Sequence, residues 1–256
     1  MKPLFKNAIV RIPCRAIKDG LTSADLGKPV YHLAVKQHSK YIDTLGQIGL
    51  KVKVLPENGL FPDSVFIEDV ALCTPLCAVI TNPGAESRQG ETIGVVQVLK
   101  EFYKNIEEIR TPGTLESGDV MMVGNHFFIG ISKRTNIDGA DQLIRILGKY
   151  GLTGSKIHLK KMLHLKSGVS YLENNIILVC GELINQVEFA GFERIEIEEA
   201  ESYAANSLWI NDKVLIPAGY PKTREKIEKA GFVTIVLDVS EFQKVDGGLS
   251  CLSLRF

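Results

Sequence analysis

The sequence carries no surplus of charge of either sign: 30 Lys and Arg face 30 Asp and Glu. That balance leaves no electrostatic footprint for nucleic acid or an anionic lipid surface. No uninterrupted apolar run approaches the ~20 residues a membrane helix needs. The opening stretch, Met1-Lys-Pro-Leu-Phe-Lys-Asn-Ala-Ile-Val-Arg11, has its apolar residues broken by charge, so no secretory core is expected. The five cysteines, Cys14, Cys73, Cys77, Cys180 and Cys251, are odd in number and lack a disulfide-framework spacing. A reduced, cytoplasmic protein is the simplest expectation. Cys73 and Cys77 have no C-x-x-C pair or histidine near them, which argues against structural zinc. Neither G-x-G-x-x-G nor G-x-x-x-x-G-K-[ST] occurs, so no nucleotide site is expected. No metal and no cofactor are anticipated.

What is present is a well-filled chain of 256 residues, 45% of them hydrophobic, enough for one large domain or two small ones. Two short apolar runs around a turn recur along it, over Asp69–Thr81, Asp119–Gly130, Gly168–Val179 and Ser207–Pro217. Asn, Pro, Asp or Gly between β-favouring runs is the signature of a hairpin. Helical spacing follows over Glu91–Tyr103, Asp138–Tyr150 and Pro221–Ala230, and Phe232–Val239 then reads as a strand. The unit is strand, turn, strand, helix, strand, at the spacing of propeller-like arrays. The strand Ala8–Ile12 and a strand at Cys251 would combine into a fifth unit that closes the ring and removes edge strands. An ordinary α/β sandwich with accidental hairpin spacing is the competing architecture.

Chemistry-bearing residues cluster at the hairpin ends. Cys251 follows Gly247-Gly248, a pair that allows close backbone approach, in a short alternating run expected to be a strand. It is either a small buried hydrophobe or a reactive thiol. Phe61-Pro-Asp-Ser-Val-Phe-Ile-Glu-Asp69 sets Asp63, Glu68 and Asp69 in a strand-like apolar run, where they cap a strand at the surface or meet a ligand. Glu116 lies in a Pro- and Gly-rich turn suited to aiming one carboxylate, although most loop acids are simply solvated. His164, between two leucines, is a core histidine or a catalyst. Arg88 and Arg134 follow hairpins at equivalent points, and two guanidinium forks can clamp a carboxylate. Carboxylates suit a guanidinium and arginines suit an α-carboxylate; an arginine-like amino acid presents both. A thiolate could attack its guanidinium carbon while histidine protonates the departing amine.

Phe61–Asp69, Asn82–Arg88, Thr114–Asp119, Ser132–Asn136, Leu163–Lys166 and Lys244–Cys251 resemble, in order and in spacing, the motifs of the dimethylarginine dimethylaminohydrolases, the bacterial members most closely. The resemblance runs from the N-terminal strand to Phe256. It implies a single catalytic domain over 1–256 with the five-bladed α/β propeller of the pentein superfamily. It implies that Cys251 is the nucleophile, His164 the general acid and later base, and Glu116 the residue that orients the histidine. Asp69 would hold the guanidinium, Asp63 the α-amine, and Arg88 and Arg134 the α-carboxylate. Glu68 falls in the same motif, and backbone groups near Ile17 and Val245 would complete the amine site. Ile17 matches the family's mobile lid, where relatives often carry leucine.

The implied reaction converts asymmetric dimethylarginine or monomethylarginine and water to citrulline and dimethylamine or methylamine through an S-alkylthiouronium intermediate. The implied partner is this small substrate alone, without nucleic acid or membrane, in a chain that the resemblance allows to be a homodimer. An arginine deiminase usually carries an extra helical domain that does not fit this length. An agmatine deiminase would have no use for paired arginines. A non-enzymatic binding scaffold of the same fold would not need the thiol, histidine and carboxylate set.

Overall fold

The computed structural model describes residues 5–256, so Met1–Leu4, the start of the charge-broken opening stretch, lies outside the described residues. The chain opens with β1 (Asn7–Arg11), α1 (Tyr31–Gln47) and β2 (Lys51–Leu55). The next repeat is β3 (Ala71–Cys73), β4 (Ala78–Ile80), α2 (Thr92–Leu99) and β5 (Ile106–Glu108). It is followed by β6 (Val120–Val123), β7 (His126–Ile131), α3 (Ile137–Lys149) and β8 (Thr153–His158). Strands β9 (Val169–Tyr171), β10 (Ile176–Val179) and β11 (Glu193–Glu196) follow, and then β12 (Leu208–Ile210), β13 (Lys213–Pro217), α4 (Pro221–Lys229) and β14 (Val233–Leu237). A short α5 (Ser240–Gln243) leads to β15 (Leu254–Arg255).

These strands form five three-stranded sheets of one topology. In each, a central strand pairs antiparallel on one side and parallel on the other, as β7 does with β6 and β8. All four expected hairpins are present. Asn211 and Asp212, at φ 47° and 67°, make the tight turn between β12 and β13, in the left-handed conformation that matches strand twist. Pro221 starts α4 where its missing N–H is harmless. Asn136 caps α3 by accepting the Gly139 N–H at 2.8 Å. The crossover from β10 to β11 has no α-helix and uses the 3-10 turns Gly181–Leu183 and Val187–Phe189. The fifth sheet joins the two ends of the chain, with Ala8 opposite Arg255 and Ile9 opposite Leu254.

Three expectations need correction. Phe61–Asp69 is not strand-like: Pro62 fixes its own φ and has no N–H to give, and turns close from Ser64 N to Phe61 O and from Phe66 N to Asp63 O. A 3-10 turn, Ile67–Val70, completes the segment. Helix α2 is shorter than Glu91–Tyr103 because Glu91 belongs to the preceding 3-10 turn, Glu86–Glu91, where its carboxylate is bonded to Arg88. Cys251 lies in a 3-10 turn, Ser250–Leu252, and only Leu254–Arg255 beyond it is strand.

The chain divides into two compact units. One comprises the described residues through Ile67 with Gly168–Arg255; the other is Glu68–Ser167 with Phe256. The first contains three of the sheets around a core that includes Ala8, Val10, Tyr41, Leu45, Phe66, Phe242 and Leu252. The second contains the sheets of β3–β5 and β6–β8 around Val79, Leu115, Phe127, Leu143 and Leu147. Among the described residues no helix is long and apolar enough to cross a membrane.

Candidate active site

In the unit Glu68–Ser167, the 3-10 turn Ser117–Asp119 enters β6 and brings Glu116 into a fully buried position. Glu116 Oε2 lies 2.8 Å from His164 Nε2. Its Oε1 accepts the Ala85 N–H at 3.1 Å and Arg134 Nη1–H at 3.3 Å. Burial opposes ionisation of Glu116, but its bond to His164 and the charges of His164, Arg88 and Arg134 hold the carboxyl well below the usual carboxylate range. Burial likewise opposes charge on His164. The negative charges of Asp119 and Asp69 and the bond to Glu116 overcome it and raise the imidazole to about 9. His164 is therefore an imidazolium at neutral pH, with a proton to give.

Asp69 stands in the same cluster. Its Oδ2 accepts Arg88 Nη1–H at 2.6 Å and its Oδ1 accepts the Gly118 N–H at 3.0 Å. A side chain at Gly118 would begin 2.8 Å from that Asp69 oxygen and 3.0 Å from the His164 ring, so only glycine lets the turn come this close. Arg88 is 4% exposed and also donates from Nη2 to Glu91 at 2.9 Å. Burial works against its charge, and Asp69 and Glu91 more than restore it. Arg134 is the more accessible of the two arginines, with 19% of its side chain exposed. Glu68 is buried and pairs with Lys166 Nζ at 2.7 Å. Ligating atoms of Asp69, Glu116 and His164 lie within 4.8 Å of one another, as a metal ion would require. An ion there would have to displace the bonds that Arg88, Gly118, Arg134 and His164 already make.

The other unit holds the thiol and an acceptor cradle. Gly248 N–H points to Cys251 Sγ at 3.4 Å, and the turn is fixed by Asn206, whose Oδ1 accepts the Ser250 N–H at 2.9 Å and whose Nδ2 donates to Ser250 Oγ at 3.0 Å. Gly248 packs on that amide: a side chain there would begin 2.6 Å from Asn206 Oδ1. The close backbone approach expected of the Gly-Gly pair is therefore real, although it builds a turn and not a strand. Asp63, Ile17 and Val245 meet around Gly20. A side chain at Gly20 would begin 2.8 Å from Asp63 Oδ1, 3.2 Å from the Ile17 carbonyl oxygen and 3.4 Å from Val245 Cγ1. Asp63 is buried, and the Ile17 carbonyl accepts the Gly20 N–H at 3.1 Å. The segment beyond is tied down by Leu21 N–H on Asp63 at 3.0 Å and Ser23 N–H on Asp246 at 2.6 Å.

Asp69, Arg88, Glu116, Arg134 and His164 thus come together in one unit, and Ile17, Asp63 and Val245 in the other, with Cys251 in that second group's unit. Sequence reasoning missed Glu91, Lys166, Asp119 and Asn206, all of which support these residues by hydrogen bonds or ion pairs. Asp119 had a signal, an acid at the entry of an apolar hairpin. Glu91 had none, because at the head of a helical pattern an acid reads as an ordinary first-turn residue.

A family model described as N,N dimethylarginine dimethylhydrolase, eukaryotic, matches residues 27–253. The chain is 54% identical over 254 residues to the N(G),N(G)-dimethylarginine dimethylaminohydrolase of Pseudomonas aeruginosa, covering 99% of this chain and 100% of that protein. It is 33% identical to the protein of the same name from Streptomyces coelicolor, over 98% and 96% of the two chains. A solved structure of the Pseudomonas enzyme, a cysteine-to-serine mutant complexed with citrulline, superposes with a TM-score of 0.98 at 53% identity over 99% of this chain and 100% of that one. The expected fold class, the five-repeat α/β propeller, holds. By family, fold and reaction class, the chain belongs to the dimethylarginine dimethylaminohydrolases, a family of hydrolases.

Proposed function

We propose that this chain, acting as one catalytic domain over 1–256, hydrolyses asymmetric dimethylarginine and monomethylarginine to citrulline and dimethylamine or methylamine. The observation that carries the reading is the buried Glu116–His164 pair beside Asp69, a charged imidazole held ready next to a carboxylate that suits a guanidinium. Asp69 fixes the substrate guanidinium, with Glu68 in the same segment. Asp63, the Ile17 carbonyl and the backbone near Val245 take the α-ammonium, and Arg88 and Arg134 the α-carboxylate. The thiolate of Cys251 forms a bond to the guanidinium carbon, and its negative charge neutralises the cation, so no oxyanion site is needed at this step. His164 gives its proton to the methylated nitrogen, the C–N bond breaks and the amine leaves. The S-alkylthiouronium is then attacked by water, whose proton returns to His164. The C–S bond breaks and the remaining hydroxyl proton passes to solvent, where the released amine takes it up, freeing citrulline and the thiolate. A cysteine-to-serine mutant of the Pseudomonas aeruginosa relative complexed with citrulline, and a histidine-to-glycine dimethylarginine dimethylaminohydrolase, 53% identical to this chain, bearing an S-methyl-L-thiocitrulline adduct, fit these two roles.

A reduced, cytoplasmic setting is part of this reading, and the homodimer that the family resemblance allows is to be tested by light scattering. The deciding experiment measures citrulline and amine release from asymmetric dimethylarginine and from arginine, for wild type and Cys251→Ser. Dimethylamine from wild type, with a loss on the order of a thousandfold or more in the variant, is expected. Ammonia from arginine would make the chain a deiminase instead. Silence on both substrates from a folded protein would point to a binding scaffold.

A further inference from the structure

Asp119 has no role in the reaction just described, yet it is wholly buried and its two oxygens join separate parts of the acid–base cluster. Oδ1 accepts the Leu165 N–H at 2.9 Å, the first peptide after His164. Oδ2 accepts Ser132 Oγ–H at 2.7 Å. The Ser132 hydroxyl oxygen accepts the N–H groups of Arg134 at 2.9 Å and Thr135 at 3.2 Å, and Thr135 Oγ1 accepts the Glu116 N–H at 3.1 Å. One carboxylate is thereby linked to the turn that presents His164, the loop that presents Arg134 and the backbone of Glu116. No lysine or arginine forms an ion pair with Asp119 among the described residues. A buried carboxylate of this kind is costly unless a cation uses its field. The cation here is His164, on which Asp119 exerts the strongest of the charge effects that favour protonation.

We propose that Asp119 is a positioning residue for proton transfer, fixing the turn that carries His164 and supplying a negative charge that balances its imidazolium. The proposal rests on His164 as the proton donor. The charged groups acting on that imidazole are Glu116 in direct contact, Asp69 and Asp119 through their negative charges, and Arg88 and Arg134 through Glu116. Lys166, two residues along, is engaged by Glu68. Burial raises Asp119 itself to about 6, so at neutral pH both members of the pair are charged.

Asp119→Asn keeps the shape and an oxygen for the Leu165 N–H but removes the charge. The test titrates His164 by NMR in histidine-labelled enzyme and measures kcat and KM for asymmetric dimethylarginine against pH. The His164 midpoint should fall by about one pH unit or more, and the alkaline limb of kcat should move down with it. KM should stay within about threefold. An unchanged His164 midpoint in folded Asp119→Asn overturns the proposal. If wild type fails to turn over the substrate, the reaction assignment falls, while the NMR titration still decides the role of Asp119. Should Asp119→Asn not fold, Asp119→Ser replaces it, smaller and likewise uncharged. The His164 midpoint should again fall, and an unchanged midpoint is again fatal.

Discussion

The two units support the residues proposed to react by different means. In Glu68–Ser167, His164 and Glu116 sit among ionised partners: Asp69, Arg88, Glu91, Asp119 and Arg134 are joined by charge-assisted hydrogen bonds, several below 3 Å. In the unit that contains Gly168–Arg255, the turn at Cys251 is fixed by the Asn206 amide, the Ser250 hydroxyl and backbone N–H, and by the Arg255 guanidinium, which donates to the Ser250 carbonyl oxygen at 2.9 Å. The difference follows the chemistry. A proton donor must be held in one charge state, which takes fixed charges at low dielectric. A nucleophile needs its position fixed and its attack path open, and bonds to the backbone and side-chain amides of one turn, with Arg255 on the Ser250 carbonyl, do that without a carboxylate network around the turn.

The sharpest way to break this contrast is to remove one supporter from each side. Glu116→Gln should lower kcat by about 10²–10⁴-fold, the usual worth of acid–base catalysis, and depress the His164 titration. Asn206→Ala should cost only about tenfold, as a positional loss, and leave His164 titrating as in wild type. Comparable losses from the two variants, with His164 unmoved in both, would erase the distinction.

A smaller effect is expected from the glycines that let each turn close. A methyl at Gly118 meets Asp69 and His164, whereas one at Gly248 meets the Asn206 amide. Each should destabilise by about 1–3 kcal/mol through overpacking, read by urea unfolding. Only Gly118→Ala should also change the pH profile of kcat. A shifted profile in Gly248→Ala would show that the thiol's turn is electrostatically coupled after all.

The mildest perturbation is pH itself. His164 is raised from 6.5 to about 9, so its contribution to stability is complete below 6.5 and disappears as pH rises through about 9. Glu116 is lowered from 4.5, so its contribution is complete above 4.5 and disappears in strong acid. Asp119 is raised from 3.8 to about 6, and the folded state loses what it gained from the neutral acid as pH rises through that value. Wild type should therefore lose kcat and stability together on the alkaline side near 9. Glu116→Gln should shrink the alkaline stability step and move it to lower pH, since Asp119 and Asp69 still favour the imidazolium. An unchanged step in the variant would assign it to another group.

Much of this was legible in the chain because hairpins and caps are local. Asn211-Asp212, Gly124-Asn125 and Asn174-Asn175 announce tight turns whatever surrounds them, and Pro221 marks a helix start. The site residues were found through motifs, since a lone buried His164 or Glu116 has no local signature that separates catalyst from core. Where reading failed, the cause was tertiary. The alternation around Cys251 looked like a strand, but Asn206, distant in sequence, takes the Ser250 N–H and closes a turn instead. Asp119 was overlooked because its partners, Leu165 and Ser132, are set by the packed cluster and not by spacing; Glu91 pairs locally with Arg88, three residues before it, but the helical pattern that begins there claimed it first.

The sheet that pairs β15 with β1 imposes an order on biosynthesis. Of all the strands, the first to leave the ribosome waits for the last, because Ala8 and Ile9 find Arg255 and Leu254 only when the rest of the chain has been made. The turn bearing Cys251 lies immediately before β15 and is threaded in at the same moment. A nascent chain therefore carries its acid–base cluster well before it can carry a seated thiol. For a thiol proposed to be the nucleophile, pairing of β15 with β1 is therefore the folding step that seats it.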